Sequence, residues 1–158
     1  MQTFLPDADF AESARLLDER RLGKQRSEAL QVLRALVVPG YGWRHHPAAA
    51  MWRGYEEALA TYGLTVCEEW TRRGHPDSCA AQISTALGWT PRSQAVLHGA
   101  GELPPWLGDE RFHLSHRSAL VRKLPGRYAP VFPEVAADLP YVWPASGRPG
   151  RLASPAPA

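Results

Sequence analysis

Residues 18–36, DERRLGKQRSEALQVLRAL, decide how the rest of the chain must fold. At helical periodicity Leu22, Ala29, Leu33 and Leu36 fall on one face, with Leu30 and Val32 at its margins. Gln25 and Arg26 project into the same apolar arc, and Arg21 and Glu28 share one edge of it. Arg20, Ser27, Gln31 and Arg34 face away. A guanidinium and an amide on the buried face of a helix cost several kcal/mol unless they are paired. Something must therefore answer Arg26, and Glu28 is the near carboxylate. The plain reading is a solvated helix whose arginine snorkels to water. The sharper one is a charged helix that walls an active site.

N-terminal to this helix, Thr3, Phe4 and Leu5 are placed to pack before Pro6 breaks the run. Asp7 or Asp9 can cap a short helix through about Leu17, with Phe10, Ala14 and Leu17 on one side. C-terminal to it, Pro39-Gly40 ends the helix. The segment GYGWRHHP, residues 40–47, then forms a loop with glycines for tight backbone, two aromatics and three potential cations. Loops this polar and aromatic are costly to order and usually have a use. Pro47 suits the first turn of a long helix from Ala48 to about Arg73. Its buried stripe is Met51, Trp52, Tyr55, Ala58, Leu59, Tyr62, Val66 and Trp70. Gly54 and Gly63 weaken it, so a bend or close packing is expected there, and Gly74 stops it.

Pro76-Asp77 starts a shorter helix with Ala80, Ile83 and Leu87 inward, and residues 88–108 read as irregular connection. Asp109 caps a helix through about Lys123 that carries Phe112, His113, His116, Arg117 and Leu120, and Pro125 ends it. Residues 128–144, YAPVFPEVAADLPYVWP, hold too many prolines for regular structure and too many aromatics for a free tail. They are expected to wrap the body and pack Phe132, Tyr141 and Trp143 onto it. From Ala145 to Ala158 small residues, proline and glycine predict disorder. The expected fold is all-α: one helical bundle over residues 1–144, with the proline- and aromatic-rich segment around it and no strand.

A chain of 158 residues is long enough to bury a core as one domain without staples. The net charge of +2 neither demands nor excludes nucleic acid, so any anion site must come from local clusters, around residues 20–26 and 117–127. Cys67 and Cys79 are too few for a disulfide framework, and free buried thiols are expected. The sequence has no leader pattern and no membrane-spanning run, which points to a cytoplasmic chain, read as a monomer. Glu110, His113 and His116 lie at i, i+3 and i+6, and His45-His46 are adjacent; the Glu-x-x-His step is that of di-metal bundles, but those need a second copy on another helix, and the sequence has none. No metal is expected. Nucleophile-elbow and phosphate-loop motifs are absent. What remains is a set of cations able to grip phosphate: Arg21, Lys24, Arg26, Arg44, His45, His46, His116, Arg117, Arg122 and Lys123. Trp43, Tyr141 and Trp143 add planar surfaces for a base.

These residues resemble the pyrimidine-dimer DNA glycosylase family, whose founder is a small phage endonuclease V. The founder-like element is the helix segment from Arg21 to Leu30. Bacterial relatives look like this chain at Gly42-Trp43-Arg44-His45-His46-Pro47, at the helix end Arg73-Gly74, and at Ser115-His116-Arg117-Ser118. Arg122-Lys123 and Leu139-Pro140-Tyr141-Val142-Trp143-Pro144 are similar too, so the resemblance covers about residues 1–144. It implies an all-α fold, a DNA substrate and a mechanism without a cofactor. In that mechanism an N-terminal α-amine attacks the sugar C1′ to give an imine, a helix glutamate supports the step, and elimination breaks the strand. The glutamate carries over to Glu28, with Ser27 in its place under a one-residue shift. The founder exposes threonine after losing its methionine, whereas the bulky Gln2 leaves Met1 to supply the amine. Water activated by Glu28 is the other route to base release. The resemblance further implies Arg21, Arg26, His45, His46, His116 and Arg117 as pocket cations, with Lys24, Gln25, Arg44, Arg122 and Lys123 as further contacts to DNA. Two other classes stay open: a non-catalytic nucleic-acid-binding module, and an enzyme acting on a small nucleotide or nucleoside.

Overall fold

Asp18 accepts a hydrogen bond from the Arg21 N–H and so starts α2 (Glu19–Val37), the helix on which the fold is assembled. The computed structural model describes residues 1–150. Among them are eight helices and no strand: α1 (Phe10–Leu16), α2, α3 (Pro47–Trp52), α4 (Glu56–Arg72), α5 (Cys79–Leu87), α6 (Gln94–Gly99), α7 (Glu110–Lys123) and α8 (Pro125–Val131). None is long and apolar enough to cross a membrane. The chain is thus an all-α single domain, as the periodicities require.

The apolar face of α2 is buried throughout, from Leu22 to Leu36, and the helix packs against α4 and α5. Gly63 of α4 lets those neighbours in. A Cβ there would lie 2.9 Å from Ile83 Cδ1 and 3.2 Å from Ala29 Cβ. Cys67 and Cys79 are free and buried near this seam, and burial pushes the Cys67 thiol up to about 12.

Three expectations are corrected. The single helix over 48–73 is two, because Gly54 takes the left-handed φ of +82° and α4 restarts at Glu56. The break admits the C-terminal segment: a Cβ on Gly54 would lie 2.5 Å from Arg148 Cβ. The connection over 88–108 contains α6, whose cap is the Ser93 side chain accepting from Val96 N–H. Pro125 does not merely stop α7. It sits in the first turn of α8, where a missing N–H forfeits no helical bond, so the irregular segment begins only at Phe132.

That segment is held by side chains of α7 in place of a strand partner. Ser118 Oγ donates to Ala136 O and accepts from Leu139 N–H, Ser115 Oγ accepts from Val142 N–H, and Arg122 donates to Ala137 O. Phe132 and Tyr141 are half-buried, while Trp143 stays 38% exposed. Of the tail expected to be disordered, residues 151–158 lie outside the described residues. Within 145–150, Ser146 and Gly150 are buried, and Arg148 stacks 4.5 Å over Tyr55 and pairs with Glu102 at 2.9 Å.

Candidate active site

A buried extended segment must find a partner for its backbone polar groups. Residues 2–5 are buried, and four helices supply those partners. Gln25 of α2 donates to Gln2 O at 2.6 Å and accepts from Phe4 N–H at 2.9 Å. Trp52 of α3 donates to Thr3 Oγ1, and Tyr62 of α4 donates to Phe4 O. On α7, His113 Nδ1 donates to Leu5 O at 2.8 Å and His116 Nδ1 accepts from Leu5 N–H at 2.9 Å. With Nδ1 accepting, neutral His116 carries its proton on Nε2, which is buried without a partner. Burial, and His113 beside it, push its pKa down to about 3. The network fixes where the first residue of the chain sits.

Held this way, Met1, Gln2 and Phe4 form one side of a cavity of about 370 Å³. The α2 helix contributes Arg20, Arg21, Lys24 and Glu28, α7 contributes Lys123, and the C-terminal segment contributes Tyr141. Arg20, Lys24 and Glu28 stand at i, i+4 and i+8, one row along the helix. The sequence has two lysines, Lys24 and Lys123, so all three of its primary amines line this cavity. The Glu28 side chain is 12% exposed and pairs with Lys24 at 3.4 Å. Burial first, and the Glu28 charge after it, raise the Tyr62 phenol. His46 is lowered by burial and then by the Met1 amine, with Glu28 opposing, which puts His46 within electrostatic reach of both groups.

Of the residues singled out in the sequence, Met1, Glu28, Arg21, Lys24, Lys123 and Tyr141 meet at this cavity. The others have different partners. Arg26 is answered by Asp77 and not by Glu28, and its guanidinium lies 4.5 Å over Trp70. Gln25 clamps the N-terminal segment, and His116 is a neutral member of the same clamp rather than a cation facing substrate. Arg117 donates to Pro6 O at 2.7 Å and pairs with Glu110 at 2.6 Å. Arg122 holds the C-terminal segment, where its charge partly offsets the burial that raises the Tyr141 phenol. Trp43, Arg44 and His45 are exposed, and His46 caps α3 by accepting from Ala48 N–H at 3.0 Å.

A row of rings leads outward from the cavity: Tyr141 to Trp143 at 5.4 Å, Trp143 to His46 at 6.0 Å, and His46 to Trp43 at 5.7 Å between centroids. Trp43 is 60% exposed and holds a left-handed φ of 71°, a strained conformation for an aromatic residue. Among the described residues no His, Cys, Asp or Glu cluster is arranged to hold a metal ion. Gln2, Phe4 and Arg20 were not anticipated as lining residues. Arg20, read as facing away, had a signal in its four-residue steps to Lys24 and Glu28. Phe4 was expected to pack, but nothing in the sequence placed it or Gln2 at a cavity, because where this segment inserts is a tertiary effect.

Comparison with curated proteins and with solved structures returns no match. The family model for pyrimidine dimer DNA glycosylase matches residues 1–83, the part of the chain that carries Met1, the α2 row and the loop with Trp43. With more than half its length under that match, the chain belongs to the pyrimidine dimer DNA glycosylase family.

Proposed function

We propose that the chain excises a damaged pyrimidine from DNA with the Met1 α-amine as nucleophile and Glu28 as its acid–base partner, and that strand cleavage follows. The observation that carries this reading is the meeting of Met1 and Glu28 in one cavity rimmed by Arg20, Arg21 and Lys24. An α-amine is intrinsically a weaker base than a lysine side chain, which favours it as the nucleophile among the amines of this cavity. The neutral amine attacks C1′ while the C1′–N1 bond breaks and its electron pair leaves with the base. Glu28 takes the proton released by the attacking nitrogen and returns it to O4′ as the sugar ring opens to the imine. Loss of a C2′ proton then expels the 3′ phosphate. The arginines and lysines offset the charge of the flanking phosphates.

Such chemistry requires the target nucleotide to leave the stack, which costs a few kcal/mol that stacking on side chains can offset. The exposed ring row from Trp43 to Trp143 supplies that surface beside the cavity, and it favours a polymer substrate over a free nucleotide, which would leave the row unused. The test is C1′–N1 cleavage in a duplex carrying one cyclobutane pyrimidine dimer, read as base released after photoreversal of the cyclobutane ring, which until then tethers the detached base to its neighbour. Release from the damaged strand and none from its undamaged counterpart is expected. Salt-sensitive binding with no release would contradict the reading and leave a binding module.

A further inference from the structure

Trp43 is a large apolar side chain that the core does not use. Its indole is 60% exposed, and its backbone holds a φ of 71°, where glycine is the ordinary choice. Glycine is at hand in this loop: Gly42 precedes Trp43, and Gly40 takes the same left-handed backbone at φ 73°. The strained position nevertheless carries an indole. Its conformation is enforced from both sides, since Trp43 O accepts from His46 N–H at 2.9 Å and Arg44 O accepts from the Arg53 side chain at 3.0 Å. The ring is braced as well, in a T-shaped contact with His46, which is itself fixed as the cap of α3. The same short helix donates from Trp52 to Thr3 Oγ1, so one element holds both the N-terminal segment and the exposed ring. Folding alone gives no reason to strain a residue in order to keep its ring in water.

We propose that Trp43 is a wedge that enters the duplex at the lesion and fills the gap the extruded nucleotide leaves in the base stack. This rests on the glycosylase reading given above and assigns the last ring of the row a task of its own. A nucleotide with its C1′ at Met1 and Glu28 lies against Tyr141, which lines the cavity, and Trp143 packs on Tyr141 at 5.4 Å. Trp43 lies beyond both, past His46, and is the most exposed ring of the row. It is the ring left to meet the duplex itself. A flat apolar group inserted between neighbouring bases replaces the stacking lost on extrusion and blocks the return of the nucleotide. Arg44 and His45, exposed beside the indole, are placed to meet the backbone phosphates on either side of the gap.

A wedge matters only where there is a stack to open. The discriminating quantity is therefore the ratio of two single-turnover rates of C1′–N1 cleavage measured on one preparation. One substrate is a fully paired duplex carrying the dimer, and the other is the same strand with its complement mismatched across the dimer and its flanking pairs. The ratio is insensitive to the folded fraction of the sample. Trp43→Asn removes the ring and keeps a residue that tolerates left-handed backbone. Its paired-to-open ratio is expected to fall at least tenfold below that of the wild type. A ratio within twofold of wild type, whether both rates are kept or both are lost equally, overturns the wedge and leaves the glycosylase reading standing. Trp43→Phe keeps a flat ring and is expected to recover most of the ratio; a Phe variant as impaired as the Asn variant also overturns the proposal. Should Trp43→Asn fail to fold, Trp43→Gly relieves the backbone and the same criterion applies. A wild-type chain that cleaves neither substrate overturns the glycosylase reading itself and this inference with it.

Discussion

At the scale of single residues, Glu28 and His116 are both shielded from water, and they respond to replacement in opposite ways. The ion pair of Glu28 is with Lys24, whose side chain is 72% exposed, and such a pair contributes little to stability. Glu28→Gln is therefore expected to melt like wild type while base release falls by about 10²–10⁴-fold, the range of a lost acid–base group. Equal activity in the variant would remove Glu28 from the mechanism. His116 does the reverse, because it is structural. Its folded pKa of about 3 lies below the unfolded value of 6.5, so the unfolded chain binds the extra proton between these limits. The stability held by neutral His116 is complete above pH 6.5 and is lost as pH falls toward 3, at about 1.4 kcal/mol per unit. His116→Asn keeps an acceptor for Leu5 N–H and cannot titrate. Urea midpoints measured from pH 8 to pH 4 are expected to fall less steeply for the variant, although it starts lower through its lost ring volume. Parallel curves would mean that His116 is not held neutral.

At the scale of elements, the helix crossing at Gly63 sets how α2, α4 and α5 meet. Glycine to alanine inside a helix ordinarily gains up to about 1 kcal/mol. Here the new methyl would press on Ala29 Cβ, which cannot rotate away, as well as on Ile83. Gly63→Ala is expected to lose about 1–2 kcal/mol in urea denaturation, and a stabilised variant would show the crossing to be loose. The elements were legible wherever local chemistry decides them. Asp9, one of the two caps the sequence offered, and Asp109 cap α1 and α7 as anticipated, and the buried stripe of α4 follows its apolar spacing. Gly54 was recognised as a weak point, but Arg148, which packs against the break, lies nearly a hundred residues on. Proline 125 and the 88–108 connection were misread because a proline or a short helix has no periodicity to declare which side of a boundary it serves. For the site, the α2 row was readable in spacing, whereas the partner of Arg26 was not: Asp77 is distant in sequence and reaches it only through the fold.

At the scale of the whole molecule, the cavity joins the two ends of the described chain. Met1 and α2 line it from the part under the family match, and Lys123 and Tyr141 come from beyond that match. The N-terminal segment is inserted among α2, α3, α4 and α7, which together fix the position of Met1. Because Lys24 and Lys123 share the cavity, covalent capture alone does not name the nucleophile; its position in the sequence must be read. The most direct measurement is borohydride reduction of the protein on abasic-site DNA, followed by mass-spectrometric mapping of the adduct. The account predicts a reduced adduct on the Met1 α-nitrogen, abolished when that nitrogen is acetylated. An adduct on either lysine, or none, would contradict it.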